Sequence, residues 1–404
     1  MNHHLDQLNV DNVHAAPRVD LLQALPDGPL RFRSAYIHVP FCFHKCHYCD
    51  FYSIVDSSDR QEAFIDRLEG EIEDLVDRVV GPIETVFVGG GTPTLLRPAL
   101  LERLLALVRE RLPLADGSEW TVEANPETVD DEIAEVISAG GVTRVSIGCQ
   151  SFQPHLLERL ERHHDPASVA RALDHLRAAG VRSFNLDLIH GVPGSRLEDW
   201  MDDLEQALSL DPEHLSCYGL QYEPNTPMTQ KLETGRIMRL DEDLEARMYE
   251  HTCERLGEAG FAHYEISNWA RPGAECRHNL AYWRGRNWLA FGPSASGHHD
   301  GMRWKVVPRL SEWLRPGRGM QVVDLELVDD SVQVGEQLML EFRLRAGIEE
   351  SRLRALLERS DPEGRRGSAI AEALQDGLLV CEEGSVRLSD HGLLLCDSLL
   401  SELI

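Results

Sequence analysis

Between Ala35 and Leu220 one pattern recurs six times: a short run rich in β-branched residues, followed by a longer amphipathic stretch. That alternation is the signature of successive βα units, which place their strands in parallel and cover them with helices. Strands are predicted near Ala35–Val39, Thr85–Val88, Trp120–Glu123, Arg144–Gly148, Ser183–Ile189 and Leu215–Leu220. Between Asp59 and Val80, apolar Phe64, Ile65, Leu68, Ile72, Leu75, Val76 and Val79 recur at steps of three and four, which predicts a helix. Pro98–Arg111, Asp130–Ala139, Pro166–Ala179 and Glu198–Leu210 behave likewise, and Gly140, Gly180 and Gly191 punctuate the unit ends. Six such units predict an α/β fold, an open or partial (βα)6 barrel. Ligands on parallel sheets gather at the C-terminal ends of the strands.

Around this barrel the chain is expected to divide into a flexible N-terminal tail (1–33), the barrel itself (34–260), a Trp-rich extension (261–323) and a C-terminal domain (324–404). Five of the 7 Trp fall in the extension: Trp269, Trp283, Trp288, Trp304 and Trp313. The last segment reads as helices closed by a hairpin over 377–389, a winged-helix-like arrangement. It carries 18 acidic and 8 basic residues, a net 8 − 18 = −10, so DNA reading is disfavoured. The whole chain is at −28, which repels a nucleic-acid backbone. No apolar run approaches the roughly 18 residues of a membrane span, and the first thirty residues resemble no targeting segment, so a cytoplasmic location is expected.

Nine cysteines are an odd number at low density and argue against a disulfide framework. Three of them fall within eight residues, as Cys42, Cys46 and Cys49. Structural zinc prefers four ligands, usually as paired knuckles, and there is no second knuckle here; His44 or His47 would have to complete the shell. Three thiolates suit a 4Fe–4S cluster instead, with one iron left open for a small chelating molecule. The Gly89-Gly90-Gly91-Thr92 run after the second strand is either a tight turn or a ligand cradle. In the cradle, Gly90, Gly91 and Thr92 approach a bound molecule and aim backbone groups at it.

The cysteine triplet resembles that of the radical S-adenosylmethionine (radical SAM) enzymes. Three further words, Tyr36-Ile37-His38-Val39-Pro40-Phe41-Cys42, Gly89-Gly90-Gly91-Thr92-Pro93-Thr94 and Gln150-Ser151-Phe152-Gln153, resemble the oxygen-independent coproporphyrinogen III oxidase group and its heme-chaperone branch. The resemblance runs from about residue 34 to the C-terminus. It implies a 4Fe–4S cluster on Cys42, Cys46 and Cys49, S-adenosylmethionine as cofactor, and its reductive cleavage using a low-potential donor such as flavodoxin. It also implies cofactor contacts by Tyr36, Tyr48, Glu123, Gln150, Arg162 and Asp187. Each has an ordinary alternative: a core aromatic for the tyrosines, a helix-surface charge for Arg162, a solvated strand end for Glu123. A guanidinium fork at Arg162 is expected to hold a carboxylate.

Two readings of activity remain. The oxidases of the group carry a further cysteine two residues beyond the third, where this chain has Phe51. The chaperones carry the word His278-Asn279-Leu280-Ala281-Tyr282-Trp283 and associate it with heme, which makes His278 a candidate axial ligand, although most histidines are structural. Arg277, Arg284 and Arg286 are candidates to meet heme propionates. The resemblance therefore favours a heme chaperone with acceptor hemoproteins, such as respiratory enzymes, as partners. Oxidative decarboxylation of coproporphyrinogen and a zinc-stabilised barrel without redox chemistry are the alternatives.

Overall fold

A computed structural model describes residues 17–404 except 316 and 318. Its main sheet contains β1 (Val19–Asp20), β2 (Ser34–Val39), β3 (Ile83–Gly90), β4 (Leu114–Ala124), β5 (Arg144–Gln150), β6 (Phe184–His190) and β7 (His214–Gly219). It continues with β8 (Ala262–Glu265), β9 (Asn268–Ala270), β10 (Trp288–Phe291), β11 (Ser296–His299), β12 (Met302–Val306) and β13 (Gln321–Leu327). The 13 strands run in the order β1-β13-β12-β11-β10-β2-β3-β4-β5-β6-β7-β9-β8. Strands β2 to β7 are parallel neighbours in chain order and are the six predicted barrel strands. The helices that link them, Gln61–Val76, Pro98–Arg111, Asp131–Gly140, Ala167–Ala179 and Leu197–Ser209, match the predicted ones within two or three residues at most ends.

The period-two pattern of the strands sorts their side chains. Ile37, Val86, Val88, Val122, Ile147, Leu186 and Leu188 are wholly buried, in one core with Phe64, Leu68, Leu104, Ile137, Leu173 and Leu204 of the covering helices. On the opposite face the register aligns Tyr36 with Phe87, Phe87 with Thr121, Glu123 with Ser146, Gly148 with Asp187, and Asp187 with Ser216. These residues line the barrel lumen. Tyr36, Phe87, Glu123, Gly148 and Asp187 stay partly exposed there, although strand neighbours on either side are buried.

Two expected boundaries differ. Residues 17–33 lie within the predicted tail, yet Leu21, Leu25, Leu30 and Phe32 are buried in the main core, and β1 pairs with β13. Residues 1–16 lie outside the described residues. The Trp-rich stretch is no separate unit. Its strand β10 lies parallel to β2, β11 to β13 extend the sheet from there, and β9 lies antiparallel to β7 at the far edge. Trp269, Trp304 and Trp313 are core residues. Both features rest on pairings with distant residues, so local periodicity does not signal them.

The C-terminal segment has its own apolar core, built on Val334, Leu338, Phe342, Leu353, Ile370 and Leu379. Helix Asp330–Glu341, β14 (Ile348–Glu349), helices Glu350–Arg359 and Arg365–Gln375, and the hairpin β15 (Leu379–Glu382) and β16 (Ser385–Leu388) follow in winged-helix order. Its sheet order is β14-β16-β15. Among the described residues no helix is long and apolar enough to cross a membrane.

Candidate cluster and cofactor site

The loop after β2 carries the three cysteines. Its neck is tied by Cys42 N–H donating to the Ile54 carbonyl (2.9 Å) and Ile54 N–H donating to the Pro40 carbonyl (2.8 Å). At its tip Cys49 N–H bonds the Cys46 carbonyl (3.2 Å), and Met228 N–H bonds the His47 carbonyl (2.9 Å). All three thiols are free. Burial pushes the Cys42 thiol up and the Cys49 thiol to about 11, the neighbouring cysteines adding to both. Binding a metal centre therefore means displacing protons from these sulfurs. Tetrahedral zinc, at about 2.3 Å per Zn–S bond, needs sulfurs about 3.8 Å apart. Among the described residues the three sulfurs do not form a group within 4.8 Å of one another.

The glycine run seats this loop. A Cβ at Gly91 would lie 2.7 Å from the Phe41 carbonyl oxygen and 2.8 Å from that of Val39; one at Gly89 would lie 2.6 Å from Glu123 Oε2. Gly90 has φ +104°, and a Cβ there would overlap the His38 imidazole. The backbone donors are already used: Gly90 N–H bonds Glu123 Oε2 (2.9 Å), Gly91 N–H the Val39 carbonyl (2.8 Å) and Thr92 N–H the Phe41 carbonyl (2.7 Å). In the expected cradle these N–H groups thus hold the cysteine loop and Glu123. The Thr92 hydroxyl is 3.7 Å from Cys42 Sγ.

Arg162 lies on the turn after the Pro154–Arg159 helix. Its Nη2 donates to the Gly148 carbonyl (2.7 Å) and its Nη1 reaches Cys46 Sγ (3.8 Å), so the fork spans a carbonyl and a thiol rather than a carboxylate. Its Nε is buried without a partner. Gln150, at φ 64° on the C-terminal end of β5, is placed by its neighbours: Ser151 Oγ (2.6 Å), Phe152 N–H (2.7 Å) and Gln153 Nε2 (3.2 Å) all donate to Asp203. Asp203, on the Leu197–Ser209 helix, is absent from the sequence-derived site. An acidic residue on the inner face of an amphipathic helix was the available signal.

In the lumen, Glu123 and Asp187 face the same space. Burial, and then the Asp187 charge, raise Glu123 to about 7. Burial raises Asp187 too, against hydrogen bonds from Ser146 Oγ (2.9 Å) and Asn185 Nδ2 (2.8 Å). Two desolvated carboxyls on alternate strands of one lumen favour a cation or a diol between them. The Tyr36 hydroxyl is 3.0 Å from His38 Nδ1, and its ring lies 6.2 Å from that of Phe87. Tyr48 packs on a small core of Leu156, Leu160, Ile189, Val192, Leu220 and Met228.

His278 lies elsewhere. It is wholly buried at the N-terminal mouth of the barrel, with Nδ1 2.9 Å from Thr85 Oγ1, Nε2 2.9 Å from the Tyr282 hydroxyl and its ring 5.3 Å from Phe87. Burial lowers its pKa to about 3. Both nitrogens are engaged, so in this conformation His278 offers no lone pair to an iron, contrary to the sequence expectation. Trp283 of the same word carries Arg343 over its ring at 5.6 Å, tying the barrel to the C-terminal domain. Arg277 Nη1 donates to the Gly117 carbonyl (3.0 Å), and Arg286 pairs with Glu84 (3.4 Å).

A parallel-strand barrel with three free thiols on the loop after its first barrel strand defines a radical SAM protein, and residues 36–207 match the Radical SAM superfamily. That family implies a 4Fe–4S cluster and S-adenosylmethionine. The three free thiols, the orphaned Arg162 Nε and the two lumen carboxyls fit both groups. The chain is 37% identical to the heme chaperone HemW of Mycobacterium tuberculosis over 95% of its own length and 97% of that protein. It is 35% identical to HemW of Bacillus subtilis over 90% and 97%, and 36% identical to HemW of Escherichia coli over 91% and 97%. The chain belongs to the HemW heme-chaperone family. The solved structure of coproporphyrinogen III oxidase (HemN) from Escherichia coli shares the fold, with a TM-score of 0.80 over 95% of this chain and 92% of that one at 21% identity.

Proposed function

We propose that this protein is a cytoplasmic heme chaperone that carries a 4Fe–4S cluster on Cys42, Cys46 and Cys49, binds S-adenosylmethionine, and delivers heme to acceptor hemoproteins such as respiratory enzymes. The end-to-end likeness to HemW chaperones is the observation that carries this reading. The cluster supplies one-electron chemistry when bound, with electrons from a low-potential donor such as flavodoxin. The chain's own residues hold and orient. Arg162 offsets negative charge on Cys46, while Thr92 braces Cys42. Glu123 and Asp187 take the ammonium or ribose hydroxyls of the cofactor, with Tyr36, Tyr48, Gly90, Gly91 and Gln150 forming its walls.

Coproporphyrinogen oxidase is the second reading, favoured by the shared fold. Phe51 opposes it. Its side chain is 67% exposed and can neither ligate iron nor exchange protons at the place where the oxidases have a cysteine. Heme ligation by His278 would need the Arg277–Trp283 helix to open and release Tyr282 and Thr85. The test is a paired assay on one oxygen-free, cluster-loaded preparation. Heme binding without formation of vinyl-bearing product is expected; turnover of coproporphyrinogen at enzymatic rates would overturn the assignment.

A further inference from the structure

Among the described residues, one other group has the makings of a metal centre, and it lies outside the thiol site. One ligand atom each from His44, Glu161 and His163 lies within 4.8 Å of the other two. The two imidazoles meet edge to face with centroids 4.5 Å apart. His44 Nε2 is shielded from solvent and has no hydrogen-bond partner, an unusual state for a ring nitrogen at a surface turn. A cavity of about 490 Å³ bordered by Glu161, Arg162 and His163 opens beside them. Glu161 itself sits at φ 55°, a conformation a non-glycine residue adopts at some cost.

We propose that His44, Glu161 and His163 bind a divalent transition-metal ion of the zinc class, separate from the three thiols. Two imidazoles and one carboxylate are a sufficient donor set, with water in the fourth position. Bonds of about 2.0–2.2 Å require donors about 3.4 Å apart in a tetrahedron. The donor atoms lie within 4.8 Å of one another, so binding draws them closer, and His163 is the exposed member of the three. Three donors on one side suit a free ion better than a porphyrin iron, which leaves one axial position per face. The ion competes with Lys231, whose Nζ is 3.7 Å from Glu161 Oε1, and with His47, whose Nδ1 is 3.4 Å from it. Because His44 lies between Cys42 and Cys46, a bound ion joins the cysteine loop to the turn that carries Arg162. The site thereby fastens the outer wall of the thiol pocket.

The test uses full-length protein whose 4Fe–4S cluster has been reconstituted and whose loosely held metal has been removed. Co²⁺ is added anaerobically and followed by equilibrium dialysis and visible absorption. One equivalent with nitrogen and oxygen ligation is expected, with affinity falling at least about 10-fold in His163→Ala and in Glu161→Gln. Cys42→Ser/Cys46→Ser/Cys49→Ser protein should retain the Co²⁺ equivalent while losing the cluster, which separates this site from the cluster assignment. Sulfur-to-cobalt charge transfer in the loaded protein, or unchanged affinity in His44→Ala/His163→Ala, would overturn the proposal. So would loss of heme binding in His163→Ala with cobalt binding unaltered.

Discussion

Arg162 Nη1 lies 3.8 Å from Cys46 Sγ, bringing a guanidinium from the turn after the Pro154–Arg159 helix against a thiol on the loop after β2, 116 residues earlier. The other arm of the guanidinium is anchored on Gly148, so the charge is held in place before any cluster is present. Groups that support metal ligands in this way commonly change metal retention about 10–100-fold when removed. Arg162→Ala is expected to speed iron loss to a chelator by at least about 10-fold while leaving circular dichroism unchanged. A wild-type lifetime would show that the contact is incidental.

Cys46 is the most buried of the three cluster cysteines and has the Arg162 contact. Cys46→Ser is expected to abolish assembly of about four irons and four sulfides per chain. Iron and sulfide analysis together with the visible spectrum decide this, and an unaltered spectrum would remove the cluster.

For His278 two variants give opposite expectations. Tyr282→Phe deletes the hydroxyl bound to Nε2, so heme affinity rises if His278 is the ligand reached on opening; His278→Ala then loses it. Heme titration of both proteins is the measurement. Unchanged affinity in the pair would make His278 a plug of the barrel mouth and nothing more.

Glu123 is raised from 4.5 to about 7 by burial first and by Asp187 second. A group with a raised folded-state pKa binds its proton more tightly when folded. Its contribution to stability is complete below about pH 4.5 and is lost as pH climbs through about 7. Glu123→Gln, which keeps an acceptor for Gly90 N–H, should therefore stabilise the cofactor-free protein above pH 7, by at most about 3 kcal/mol, and make little difference near pH 4.5. Denaturant unfolding at the two pH values tests the sign; an effect confined to low pH would refute it.

Asp203 accepts hydrogen bonds from Ser151, Phe152 N–H and Gln153. Asp203→Ala should cost about 1–3 kcal/mol for the stranded buried donors and weaken S-adenosylmethionine binding through Gln150. Stability loss with unchanged cofactor affinity would confine Asp203 to a structural role.

The barrel was legible because its determinants are local. The six strands carry their β-branched runs and the helices their three-and-four spacing within windows of a dozen residues, and the order of β2 to β7 follows chain order. The cysteine triplet was legible for the same reason. What the glycines do was not: Gly89 is kept free of a side chain by Glu123, which lies on a neighbouring strand.

Residue order along the chain thus dictated the fold class, the three thiols and the family, because periodicity and close spacing need no knowledge of distant partners. Three-dimensional packing settled the fate of single polar side chains. His278 is buried because it meets Thr85, 193 positions away in sequence, and Arg162 is a partner of Cys46 because the turn after the Pro154–Arg159 helix meets the loop after β2. A hydrogen bond between remote residues depends on how the sheet closes, and short-range pattern carries no record of that closure.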